Sequence, residues 1–180
     1  MSNGIRIREA RADDAAGIAR VHVDSWRTTY VGIVLDEHLA NLSYERREQR
    51  WREQFAAPDN AMFSYVAETD GGQIVGFAVG GPERENDLVY KGELCGIYIL
   101  KEYQRRGIGR RLVETIVRHL LKAGFTDMLI WVLAENPSRA FYEALGGKPV
   151  HEKMTNIGGK DLREIGYGWD DIAPLAAMDA

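Results

Sequence analysis

Two glycines, Gly107 and Gly109, stand two residues apart among four arginines, Arg105, Arg106, Arg110 and Arg111. Helical apolar spacing follows at once: Ile108, Leu112, Ile116 and Leu120 recur every four residues. Bare backbone, positive charge and a helix start at one place suit a bulky anion. Glycine lets the chain approach it closely, and the first turn of a helix aims unpaired N–H groups and a partial positive charge at it. A dinucleotide fingerprint would need a third glycine where Leu112 stands, and a phosphate-binding loop would need Gly-Lys-Ser/Thr. The pyrophosphate of another cofactor remains, against the competing reading of a solvated basic helix start whose glycines serve packing.

The elements that must position this stretch can be read around it. Ile5 to Ala10 alternates as a half-buried strand does, and Asp13 and Asp14 open a helix whose apolar face carries Ile18, Val21 and Trp26. A second helical region begins near Asp36, with Ser43 as the cap of the piece carrying Trp51 and Phe55. Met62 to Glu68 and Gln73 to Val79 flank Asp70-Gly71-Gly72 as a hairpin, and Glu93 to Leu100 is a further strand. After the amphipathic helix come a strand at 127–133, a helix at 137–145 ended by Gly146-Gly147, and two strands around Gly158-Gly159. The charged Gly81 to Gly92 stretch reads as an exposed loop. The order predicts one mixed α/β layer structure.

Composition narrows the function. With 180 residues the chain is long enough for one domain with a substantial core, here read as 1–180 with its core at about 5–169 and a short tail at 170–180. A net charge of −4 makes the arginine cluster a local feature and argues against a nucleic-acid surface. No apolar run approaches the roughly 18 residues of a membrane span, and the N-terminal stretch lacks a signal core, so a cytoplasmic protein is expected. Cys95 sits in an apolar stretch and reads as a small buried hydrophobe rather than a nucleophile. His22, His38, His119 and His151 lack ligand-like spacing, so no metal is expected.

A second motif lifts the anion reading. Gln104-Arg105-Arg106-Gly107-Ile108-Gly109 resembles the Q/R-x-x-G-x-G/A signature of the GNAT superfamily of acyl-coenzyme A-dependent N-acetyltransferases. "GIYILKEYQ" before it and "ENPSRAFYEALGG" at 135–147 resemble the family's central strand and its later helix, in the same order. Lys101 stands where the family often has proline, and the interval from Asn136 to Tyr142 is one residue shorter than in many members. The resemblance implies a mixed, mostly antiparallel sheet of about seven strands flanked by about four helices, splayed between the fourth and fifth strands. It implies transfer of an acetyl group from acetyl-coenzyme A to a primary amine of a small molecule or a protein, by direct attack in a ternary complex. The alternative is a catalytically silent acyl-coenzyme A-binding module. Neither membrane nor nucleic acid is an expected partner, and a homodimer is allowed.

The resemblance also assigns roles. Ile97, Tyr98 and Ile99 would pair with the pantetheine arm. Residues Gln104 to Arg110 would cradle the pyrophosphate. Tyr142 would protonate the departing thiolate, and Glu93 would act through water as the base that frees the amine. Asn136 would bond the pantetheine or fix the strand end, and Arg139 would meet the 3′-phosphate or remain solvated. Trp26, Arg27 and Tyr30 would wall the acceptor side, against the competing reading of Trp26 as simple core packing.

Overall fold

A computed structural model describes residues 4–178. Its backbone is a seven-stranded sheet flanked by five α-helices. The strands are β1 (Ile5–Glu9), β2 (Phe63–Thr69), β3 (Ile74–Pro82), β4 (Gly92–Ile99), β5 (Met128–Leu133), β6 (Lys148–Ile157) and β7 (Lys160–Trp169), in the spatial order β1-β2-β3-β4-β5-β7-β6. Every neighbouring pair is antiparallel except β4 and β5. That parallel step requires a crossover, and the amphipathic helix α4 (Ile108–Lys122) supplies it. The expected sheet and its order are present.

The helices α1 (Ala15–Thr29), α2 (Asp36–Ala40) and α3 (Tyr44–Ala56) lie between β1 and β2 in the chain. The second helical region expected near Asp36 is therefore two helices. Ser43 separates them because its Oγ accepts the Arg46 N–H at 3.2 Å and caps α3. Phe77 and Val79, two apart on β3, point to the same side of the sheet. On that side Trp51 of α3 meets Phe77 edge-on at 5.4 Å, and His22 of α1 stacks over it at 6.1 Å. Gly80 points the other way, where a Cβ would meet Ile116 of α4 at 2.7 Å. Thus α1 and α3 cover one face and α4 the other.

The periodic residues of α4 account for its docking. Ile108, Leu112, Val113, Ile116, Val117 and Leu120 are all buried, at about 1.5–3 kcal/mol for each large aliphatic removed from water. This stripe fixes the helix start directly beyond the end of β4, which is what the candidate site needs. The short helix α5 (Arg139–Ala144) is held by Trp169, whose indole N–H donates to the Leu145 carbonyl at 2.9 Å.

Candidate active site

Beyond its single paired position, Glu93 with Leu129, β4 diverges from β5. The outer edge of β4 stays paired to β3 as far as Ile99, and that of β5 to β7 as far as Leu133. The edges that face each other have no strand between them. Alternate backbone N–H and C=O groups of Ile97 to Ile99 and Ile130 to Val132 are therefore left to another partner. The seam opens into a cleft of about 1090 Å³. A bulge at Cys95 bends β4 there, since Gly96 faces Val79 while Leu94 faces Gly80. Burial pushes the Cys95 thiol up to about 12, so it holds its proton and is no nucleophile.

At one end of the cleft the chain turns from β4 into α4. Gln104 Nε2 donates back to the Ile99 carbonyl at 3.0 Å and holds the turn shut. Arg105 and Gly107 both adopt left-handed backbone, φ +62° and +77°. Gly107 is the N-cap of α4, and its carbonyl accepts the Arg111 N–H at 3.2 Å. The N–H groups of Ile108, Gly109 and Arg110 precede any intrahelical partner and open a concavity suited to an anion. Gln104, Arg105, Gly107, Gly109 and Arg110 line the cleft. Arg106 turns away and stacks its guanidinium over Tyr103, 5.2 Å from the ring centroid. The two glycines differ in purpose. Gly107 is needed for its φ, whereas a Cβ on Gly109 would meet the Phe141 ring at 3.2 Å, so its bareness lets α4 pack on α5.

At mid-cleft stands Tyr142, only 5% exposed. Burial, then the neighbouring Tyr98, pushes its phenol well above the ordinary tyrosine range, so it carries a proton at neutral pH. Asn136 positions the helix beneath it. Its Oδ1 accepts the Ser138 N–H at 2.8 Å, and its Nδ2 donates to the Tyr30 hydroxyl at 3.3 Å. Of its two expected roles, the geometry favours fixing the strand end. Trp26 and Tyr30, with ring centroids 4.7 Å apart, form the opposite wall.

Three residues singled out in the sequence do not meet the others. Glu93 is 2% exposed, and its carboxylate accepts the Arg84 N–H at 3.1 Å, Nε at 3.0 Å and Nη2 at 2.6 Å. Held in this way, the carboxylate is engaged by Arg84 on both oxygens, and the geometry favours an anchor for Arg84 over a base. Arg27 donates to the Leu39 and Leu42 carbonyls and ties α1 to α2. Arg139 donates to the Tyr167 hydroxyl and the Ala134 carbonyl, which commits its guanidinium to the scaffold. The resemblance suggested these three by position; their partners became visible only in the fold.

One acid was missed. Glu164 of β7 lines the cleft beside Lys153 of β6, whose Nζ lies 3.8 Å from Oε2. Burial raises the Glu164 carboxyl, with Lys153 opposing the shift. The available signal was strand alternation, which puts Glu164 on the face of buried Leu162. Among the described residues, no group of His, Cys, Asp and Glu is placed to hold a metal ion, and no helix is long and apolar enough to cross a membrane.

The profile of the acetyltransferase (GNAT) family matches residues 26–147, most of the chain. The protein belongs to this acetyltransferase family. An uncharacterised N-acetyltransferase of Bacillus subtilis, YuaI, is 40% identical over 174 residues, covering 97% of this chain and 98% of that one. Spermidine N(1)-acetyltransferase of Thermoplasma acidophilum is 23% identical over 134 residues, 73% of this acetyltransferase and 80% of the relative. Among solved structures, the PaiA N-acetyltransferase of Thermoplasma acidophilum in complex with coenzyme A superposes with a TM-score of 0.71 at 22% identity. It covers 89% of this chain and 98% of its own. A phosphinothricin acetyltransferase of Sinorhizobium meliloti in complex with acetyl-coenzyme A gives 0.69 at 20% identity, with 92% and 87% covered. The open seam, the arginine-flanked turn and the protonated Tyr142 thus sit in a GNAT N-acetyltransferase.

Proposed function

We propose that this N-acetyltransferase transfers an acetyl group from acetyl-coenzyme A to a primary amine by direct attack, both substrates being bound together. The observation that carries the reading is the unpaired seam between β4 and β5, which meets a left-handed anion cradle at one end and the protonated Tyr142 phenol in its middle. The seam fits an amide-bearing pantetheine arm because it leaves main-chain donors and acceptors of Ile97, Tyr98 and Ile99 unused. The cradle of Gln104 to Arg110 fits a pyrophosphate. The bound donor supplies an activated acetyl thioester.

An alkyl amine of pKa near 10 is only about one part in 10³ neutral at pH 7, so a base at the acceptor end matters. Glu164 takes the role of base in place of the Arg84-bound Glu93: its raised carboxyl faces the cleft and receives the proton the amine loses. Backbone N–H groups of β4 face the seam and polarise the carbonyl under attack. As the new N–C bond forms and the C–S bond breaks, Tyr142 gives its proton to the sulfur. Trp26 and Tyr30 shape the acceptor's entry and keep water from the acyl group.

The test is thiol release from acetyl-coenzyme A by the purified protein across polyamines, amino acids, aminoglycosides and peptide amino termini. Amine-dependent release with stoichiometric acetyl-amine supports the reading. Tight coenzyme A binding with no release for any amine would instead support a silent acyl-coenzyme A-binding module.

A further inference from the structure

A second cavity, about 250 Å³, lies on the opposite side of β4 from the seam, beneath α1 and α3. It shares Arg84, Cys95, Gly96 and Tyr98 with the cleft, so the two spaces adjoin along the bulged strand. Its charged lining is one-sided. Arg47 and Arg50 of α3 join Arg84, and no carboxylate lines it. Arg84 is neutralised by Glu93. Among the described residues, neither the Arg47 nor the Arg50 guanidinium forms an ion pair or donates a hydrogen bond within the protein. The half-buried Arg47 guanidinium therefore sits desolvated beside a like charge, which lowers its pKa.

The remaining wall is also unfinished. His22 is clamped between aromatic rings, 4.8 Å from Tyr98 and 5.7 Å from Trp26, and its Nε2 is fully buried with no partner. Burial, then Arg47 and Arg50, depresses this imidazole to about 3, so it is neutral and can present an N–H. A half-buried, unpaired Arg47 guanidinium and an unpartnered ring nitrogen around one small space, with the exposed Arg50 beside them, are costly to keep in a folded protein unless something negative completes them.

We infer that this cavity binds an anionic group, a carboxylate or a phosphorus oxyanion, carried by the acceptor whose amine lies in the adjoining cleft. The inference rests on the acetyltransferase reading for the acceptor but not for the anion site itself. Arg47 and Arg50 hold the anion, while the aromatic rings of His22 and Tyr98 pack against its stem. The substrate class is then an amino acid or aminophosphonate type of molecule rather than a polyamine, whose cations these arginines repel.

The experiment pairs amino carboxylates and aminophosphonates with alkylamines of equal chain length and compares kcat/KM by thiol release. Wild-type protein should prefer the anionic member by about 10- to 100-fold, the range of one or two charge-assisted hydrogen bonds. Arg47→Gln and Arg50→Gln should bring that ratio toward one. A ratio near one in wild type, or one that both variants leave intact, overturns the assignment. Independently, inorganic phosphate should shift the His22 ring resonances in nuclear magnetic resonance spectra, and the shift should be lost in the variants. Arg50 is exposed, so its variant keeps the fold if Arg47→Gln does not. No His22 shift with phosphate removes the anion site even if amines are acetylated. A shift without thiol release for any amine removes the acetyltransferase reading and leaves the anion site standing.

Discussion

Two regions of this protein bury polar side chains, and they treat them in opposite ways. At the corner formed by β1, β2 and the start of α1, the buried charges find protein partners. Arg8 donates to both oxygens of Asp14 at 2.7 and 2.8 Å and to both of Glu68 at 2.8 and 3.1 Å. Arg6 adds a bond to Glu68, and Asp14 accepts the Arg11 N–H. In and around the cleft the account stays open: Trp26 Nε1, Trp131 Nε1 and His22 Nε2 are buried without partners, and the Tyr142 phenol is raised by burial with no hydrogen bond to offset it. Desolvation costs both regions alike. The corner recovers it within the fold, whereas the cleft keeps donors in reserve for a substrate. Polar burial that closes on itself marks architecture here, and polar burial left unfinished marks chemistry.

The comparison predicts that damage at the two places appears in different measurements. Tyr142→Phe removes a hydroxyl without emptying space, so kcat should fall about 10²- to 10⁴-fold in single-turnover assays. Its midpoint in denaturant should scarcely move, and equal kcat in the variant would break the assignment of Tyr142 as the acid. Arg8→Met does the reverse. Leaving buried Asp14 without its cation and Glu68 with only the exposed Arg6 should cost about 3–5 kcal/mol in urea unfolding, with kcat retained in the folded fraction. A corner variant that lost activity but not stability would show that the division between the regions is wrong.

Smaller changes sharpen it. Gly107→Ala forces a Cβ into left-handed backbone, at about 1–2 kcal/mol. Calorimetry should find weaker coenzyme A binding in that variant. Acidification should act on the corner first. Glu68 is lowered from 4.5 to about 2 by Arg8, then Arg6, and Asp14 is lowered by Arg8. Both folded values lie below the unfolded ones, so the stabilisation is complete above about pH 4.5 and fades as pH falls toward 2. Urea midpoints at pH 5 and pH 2.5 should differ more in wild type than in Arg8→Met, which lacks the cation responsible.

How far the sequence revealed each region follows from how local its signals are. The β4–turn–α4 unit was legible because glycine placement and a four-residue apolar period are short-range features. Tyr142 was legible through the motif around it. The arginine cluster was only half legible: Arg105 and Arg110 line the cleft, while Arg106 points elsewhere, because the left-handed backbone at Arg105 and Gly107 turns the chain between them. The clamp on Glu93 was not legible, because Arg84 returns to it across the turn between β3 and β4, a pairing no spacing rule shows. Glu164 and the Arg47–Arg50 pair were not singled out, since they meet the site only after β7 and α3 have packed.

The lone rung between Glu93 and Leu129 has a thermodynamic consequence. It leaves the sheet as a block of four strands and a block of three, joined at that edge largely through side chains and loops. A ligand that spans the gap bonds to both blocks in the native state and to neither in the unfolded chain. At a hundred times its dissociation constant, such a ligand adds about 2.7 kcal/mol to the resistance to unfolding. On the proposed reading that coenzyme A is this ligand, the melting temperature should follow its supply, and depletion of the donor should soften the seam before any other part of the sheet. Amide exchange along β4 and β5 should report that softening, slowing as the donor is restored while β1 and β2 stay unchanged.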